Sequence, residues 1–143
     1  TNDEQIPIRY VGPDNGVFVM ADEEQISQVF VNIIRNAIQA LSNSQTSAAE
    51  GTKQSLTSPD IIVMLNSTYS SKEIEISISD NGPGIPAAIQ SSIFRPNFTT
   101  KSNGNGLGLA ISKRIVEGTG GRITFESSDK GTTFFVYLKK KLR

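Results

Sequence analysis

The feature that most constrains this chain is an abrupt change from strict alternation to glycine. Ile74, Ile76 and Ile78 alternate with Glu75, Ser77 and Ser79, and the chain then reads Asp80-Asn81-Gly82-Pro83-Gly84-Ile85. A period of two predicts a half-buried strand. Asn-Gly and Pro-Gly end it in a turn. One carboxylate, Asp80, is thereby placed at a strand end beside backbone with few side chains. With no Cβ at Gly82 or Gly84, a flat heterocycle can lie against the main chain. The carboxylate is then placed to accept a hydrogen from a ring amine. In isolation, an ordinary Asx-Gly turn would read the same way.

A second glycine cluster follows. Gly104, Gly106 and Gly108 alternate with Asn105 and Leu107. They run into a mostly helical apolar pattern of Leu107, Leu109, Ala110, Ile111, Ile115 and Val116. Bare backbone opening a helix exposes N–H groups at the positive end of the dipole, which suits phosphate. Neither the dinucleotide nor the Walker spacing is present, and a glycine-rich hinge is the alternative. Between the clusters lie Phe94 and Phe98, apolar anchors among Arg95, Asn97, Thr99, Thr100 and Lys101. The composition of residues 95–105 predicts a mobile lid, with Lys101 as the partner for a terminal phosphate. Pro86 predicts a short helix through Ser92.

The clearest helix starts at Asp22, an N-cap residue followed by Glu23 and Glu24 in the favourable first turn. Ile26, Val29, Phe30, Ile33, Ile34, Ala37 and Leu41 recur at helical spacing. Asn32 and Asn36 stand four apart, one above the other and off that stripe. Asparagine is a mediocre helix former, so two on one face call for a reason. One reason is a solvated polar face. The other is a pair of amide oxygens facing phosphates and magnesium, a hard cation that keeps waters and shares its shell with phosphate.

The remaining chain is supportive. Its 143 residues suit one domain, and 14 basic residues balance 14 acidic ones, so nothing draws it to nucleic acid. No apolar run approaches the roughly 20 residues of a membrane span. No signal peptide is visible, so a cytoplasmic domain without membrane contact is expected. Thr1 is not a native start, which points to an excised domain. There is no cysteine and no histidine. Ile6–Tyr10 and Val17–Met20 predict a hairpin around Pro13–Gly16. Residues 42–59 hold almost nothing to bury and predict a flexible insertion. Ile61–Leu65 and Ile74–Ser79 predict a second hairpin leading to Asp80. A final pair, Ile123–Glu126 and Thr133–Leu138, turns at Ser128–Gly131. Phe135 and Tyr137 between Phe134, Val136 and Leu138 predict a last strand covered on both faces.

Taken together, Asn32-x-x-x-Asn36-Ala37, DNGPGI, Phe94-x-Pro96-x-Phe98-Thr-Thr-Lys101, GNGLGLAISKRIVEGTGG and Gly131-Thr132-x-Phe134 resemble the catalytic ATP-binding domain of bacterial sensor histidine kinases. The blocks match that family's N, G1, F and G2 boxes in order, over residues 22–138. The resemblance implies an α+β, two-layer α/β sandwich of the Bergerat type, with a mixed sheet of about five strands under three helices. It implies ATP and Mg2+ as cofactors. Asp80 would accept the adenine amine, helped by Thr132 and ordered water, with Gly82, Gly84 and Ile85 shaping the base pocket. Asn32 and Asn36 would hold magnesium and, with Lys101, serve catalysis. Phe94, Phe98, Thr99, Thr100, Lys101, Gly104, Asn105, Gly106, Leu107, Gly108 and Leu109 would surround the phosphates and lid.

Phosphoryl transfer asks the protein mainly to position and neutralise the γ-phosphoryl group. In the family the acceptor is a histidine on a separate helical dimerisation domain, which also meets a downstream response regulator. With no histidine, this chain is expected to be the ATP-binding half alone. An ATP-hydrolysing switch of the gyrase, chaperone or mismatch-repair kind is the alternative. Those proteins carry a glutamate as base four residues before the magnesium asparagine, where this chain has Asn32. A regulatory module that only binds ATP is a third reading.

Overall fold

The computed structural model describes residues 6–13, 16–48, 58–67, 72–96, 98 and 108–141. In chain order these form β1 (Ile8–Val11), α1 (Glu23–Ala48), β2 (Ile61–Asn66) and β3 (Glu73–Asp80). A short 3-10 helix (Ala87–Ser92), α2 (Gly108–Gly118), β4 (Arg122–Ser128) and β5 (Gly131–Lys139) follow. The sheet has five strands in the order β1-β2-β3-β5-β4. β1 runs parallel to β2, and the other pairs are antiparallel. This is the mixed sheet under helices that the resemblance implies.

α1 begins where its signals place it, with the Gln25 N–H donating to Asp22 Oδ2 at 3.0 Å. Val29, Ile33, Ala37 and Leu41 recur every four residues and are buried. They meet the sheet's inward row of Ile61, Ile74, Ile76, Ile78, Ile123, Phe134, Val136 and Leu138, also buried. Register aligns this row across strands: Ile78 opposite Phe134, Ile76 opposite Val136, and Val136 opposite Ile123. Val116 brings α2 into the same core. α1 carries on to Ala48, into the stretch read as an insertion. Residues 49–57 lie outside the described residues.

Two expectations are corrected. The first hairpin does not form. β1 pairs with β2, Ile8 opposite Ile61 and Val11 opposite Met64. Val19 instead makes a lone antiparallel bridge to Lys140, with the Met20 N–H on the Lys139 carbonyl at 3.0 Å. A turn signal says that the chain reverses. Which sheet edge receives each arm is a non-local choice, and here β1 covers the open edge of β2, with the Arg9–Asp60 ion pair beside it.

Nor is β5 covered on both faces. Thr132, Phe134, Val136 and Leu138 are buried, but Phe135 and Tyr137 are only half-buried. At Tyr137 the outward face is shielded by side chains instead of a second layer. The Arg122 guanidinium lies 3.9 Å over the Tyr137 ring and pairs with Glu73 at 3.0 Å, and the Tyr137 hydroxyl donates to Glu75 at 3.0 Å. Long polar side chains can cover aromatic surface while their heads stay wet.

Ile33 is 1% exposed at the centre of the α1–sheet contact. Ile33→Ala should cost about 2–5 kcal/mol in urea unfolding. Val31→Ala on the same helix, at a position 46% exposed, should stay within about 0.5 kcal/mol of the unaltered chain.

Candidate functional site

Asp80 ends β3 opposite Thr132 of β5. Its Oδ1 accepts the Gly82 N–H at 2.9 Å, closing the turn on the carboxylate. Burial raises the Asp80 pKa above the ordinary aspartate range, and the backbone N–H groups of Gly82 and Thr132 oppose that rise. A desolvated carboxylate with no cation bonded to it among the described residues is a poor stabiliser and a good acceptor.

The turn that follows is clamped from both sides. Gly84 has φ +85°, and a Cβ there would lie 1.9 Å from the Ser128 carbonyl oxygen. Gly131 has φ +143°, and its Cβ would lie 2.1 Å from the Asp80 carbonyl oxygen. Both glycines are thus required by close backbone approach between the turn and the β4–β5 hairpin. Ser127 Oγ sits in that seam. It accepts the Ile85 N–H at 2.7 Å and shares a 2.8 Å hydrogen bond with the buried Thr132 hydroxyl. Asn81 holds the other side, accepting the Asp60 N–H and donating to the Ser58 carbonyl, each at 2.8 Å. The short helix ties back through Gln90 Nε2 to the Ile85 carbonyl at 2.9 Å.

α1 connects this turn to the second glycine cluster. A Cβ on Gly82 would meet Ala40 at 3.5 Å, so α1 packs directly on the turn. Two turns earlier, Asn32 Nδ2 donates to the Gly108 carbonyl at 3.2 Å and lies 3.3 Å from Ser112 Oγ, at the start of α2. Asn32, Asn36 and Ala40 form one i, i+4, i+8 row. That row therefore touches Gly82 at one end and Gly108 at the other, about 12 Å apart along the helix axis, with half-buried Asn36 between.

Phe94 packs edge-on to Phe125 and Phe134, with ring centroids 6.0 and 6.3 Å away, and Lys113 Nζ lies 5.4 Å above its ring. Phe98, Ile85 and Leu109 rest against the core. Thr99, Thr100, Lys101, Gly104, Asn105, Gly106 and Leu107 lie outside the described residues, as does most of the 95–105 lid. An open hollow of about 670 Å³ occurs elsewhere, lined by Met20, Asp22, Gln25, Arg114, Ile115 and Lys141 among others. Its carboxylate, Asp22, is occupied in capping α1.

A family profile described as "Histidine kinase-, DNA gyrase B-, and HSP90-like ATPase" matches residues 21–142. The chain belongs to that family. Among its curated relatives, the C4-dicarboxylate transport sensor protein DctB of Rhizobium meliloti is 36% identical over 133 residues, 93% of this chain and 19% of that protein. Sensor histidine kinase ZraS of Escherichia coli K12 is 34% identical over 138 residues, 96% of this chain and 26% of that protein. The chain thus spans less than a third of the length of these relatives. The catalytic domain of histidine kinase ThkA, in a nucleotide-free form, matches with a TM-score of 0.73 at 30% identity, over 94% of this chain and 79% of that one. The fold is that of a histidine kinase catalytic domain.

Within this ATPase family domain, the structure brings Asp80, Gly82, Gly84, Ile85 and Thr132 together, and Asn32 and Gly108 meet at the other end. Ser127, Ser112 and Gly131 were missed as site residues. Ser127 follows Ile123 and Phe125 on the inward face of β4, and Ser112 precedes Val116 by one turn. A hydroxyl where the pattern asks for an apolar side chain is a signal that could have found both.

Because burial disfavours the charged form of Asp80, the folded chain carries a cost above that raised pKa, and the cost disappears as pH falls through it. Urea unfolding without nucleotide, from neutral pH to about pH 4, should therefore show the unaltered chain gaining stability relative to Asp80→Asn as pH falls.

Proposed function

We propose that this chain binds MgATP and donates the γ-phosphoryl group to a histidine on a separate helical domain of a two-component sensor kinase, which passes it on to a response regulator. The observation that carries this reading is the row on α1. One helix face touches the Asp80 turn through Ala40 and the start of α2 through Asn32, with Asn36 between. An acceptor for a base and a helix N-terminus for phosphates thus share one side of the molecule, at a separation that suits an extended nucleotide.

In this reading the Asp80 carboxylate accepts the adenine amine, and Thr132 holds an ordered water beside the ring. Gly82 and Gly84 keep the turn bare. The backbone at Gly104–Leu109 and the Lys101 ammonium meet the phosphates, and residues 95–105 close over them. The donor set fits magnesium. Among the described residues no group of three or more carboxylates, histidines or cysteines could hold a metal. A neutral amide such as Asn36 leaves the negative charge of the shell to the triphosphate. Magnesium, when bound, neutralises charge on the phosphate oxygens. The acceptor nitrogen forms its bond to the γ-phosphorus as the bond to the bridging oxygen breaks, and ADP leaves with that electron pair. The chain has no histidine, so the acceptor is supplied from elsewhere. Asn32 disfavours the ATP-hydrolysing switch, because an amide cannot take a proton from water.

Mixing the chain with MgATP and a helical domain bearing the acceptor histidine should give an acid-labile phosphoprotein on that domain. Acid-labile label on this chain alone would refute the reading. In calorimetry, Asp80→Asn should lower ATP affinity about ten- to a hundredfold, the loss of a charged hydrogen bond, with the fold intact.

A further inference from the structure

We infer that Asn32 is a positioning residue that acts through its amide nitrogen, holding the first turn of α2 against α1. The inference rests on the nucleotide reading above and gives Asn32 a part in it that its spacing from Asn36 does not reveal.

The chemistry of the partner identifies which end of the amide is used. A backbone carbonyl only accepts, so the atom of Asn32 that meets the Gly108 carbonyl at 3.2 Å is the NH2 donor. The same nitrogen lies 3.3 Å from Ser112 Oγ, and that hydroxyl donates to the Gly108 carbonyl at 2.9 Å. Nitrogen, hydroxyl and carbonyl close a three-membered polar cluster between the two helices. Ser112 is 0% exposed; its hydroxyl is bonded within α2 to the Gly108 carbonyl four residues back, and the Asn32 nitrogen adds the contact that crosses to α1. Gly108 fits the contact: a Cβ there would lie 3.8 Å from Asn32 Cγ, so the first residue of α2 is already in van der Waals reach of the amide.

The position of the cluster gives it a task. Helix carbonyls point toward the C-terminus and N–H groups toward the N-terminus. A grip on the Gly108 carbonyl therefore fixes the start of α2 without consuming the N–H groups of its first turn. Asn32 also lies one turn from Asn36, about 6 Å along the axis. The cluster sets the phosphate end of α2 at a constant offset from Asn36, where an error of about 1 Å is costly to phosphoryl transfer. A metal ligand uses the oxygen of an amide and a tether uses its nitrogen, so the two roles respond oppositely to aspartate.

The test compares Asn32→Ala, Asn32→Asp, Ser112→Ala and Asn36→Ala in the full chain. For the tether, the two Asn32 variants and Ser112→Ala should weaken ATP binding about five- to tenfold, equally with magnesium and with EDTA. Asn32→Asp should do no better than alanine, because a carboxylate brings no donor to Gly108. Adenosine, which occupies only the Asp80 end, should bind all three as it binds the unaltered chain. Asn36→Ala should remove the magnesium dependence itself. A magnesium-dependent affinity kept by Asn32→Asp, or lost by Asn32→Ala only when magnesium is present, would make Asn32 a ligand and overturn the inference. Equal weakening of adenosine would reduce the cluster to general stability. Amide exchange in the nucleotide-free chain supplies a separate readout: Asn32→Ala should speed exchange at residues 109–112 and Val31→Ala, at an exposed position of α1, should not. If the unaltered chain bound no ATP, the nucleotide reading would fall, and this exchange result would still decide whether the tether exists.

Discussion

Everything at the candidate site depends on how α1 lies on the sheet. Its buried row of Val29, Ile33, Ala37 and Leu41 sets the helix's rotation against the inward isoleucines of β3. The row of Asn32, Asn36 and Ala40 is one residue out of phase and so is turned by about 100°. Once the apolar row is buried, the second row is aimed at the Asp80 turn at one end and the start of α2 at the other. Hydrophobic burial is non-directional, but a helix buries one face only by aiming the next. The core thereby positions polar groups that contribute nothing to it.

The Asp80 turn shows the opposite economy. Its geometry is held by groups that make poor core, namely two positive-φ glycines in backbone contact, a serine hydroxyl in a seam, and an asparagine spanning two main-chain groups. The carboxylate at the centre is partly stripped of water and is left without a bonded cation among the described residues. Such an arrangement costs stability and leaves an acceptor uncommitted to any cation, a pattern common at functional sites. The same seam joins β3 to the β4–β5 hairpin, so a change at Ser127 would act on Ile85 and Thr132 together.

Much of this was legible in one dimension. The alternation into Asp80, the Asp22 cap, the four-residue spacing of Asn32 and Asn36, and the hairpin of β2 and β3 are local patterns, and each appears where its period places it. Other parts were not legible. Pro13–Gly16 announces a reversal, but β1 joined β2 and Val19 went to the far end of β5. Phe135 and Tyr137 advertise a second covered face, yet both are only half-buried, and what shields Tyr137 is the side chains of Arg122 and Glu75. Both errors come from reading a non-local partner off a local composition.

The sequence by itself determined which residues could bury, where strands and helices begin, and that one acid and two amides stand out against those patterns, because periodicity and capping act over a few neighbouring residues. Only the tertiary structure decided what Asn32 faces. Two asparagines four apart are chemically alike along the chain. Gly108 and Ser112 are some eighty residues away from Asn32 in sequence, and their arrival beside it commits its nitrogen to a carbonyl. That distinction arises from contact between separate helices, and no spacing within either one contains it.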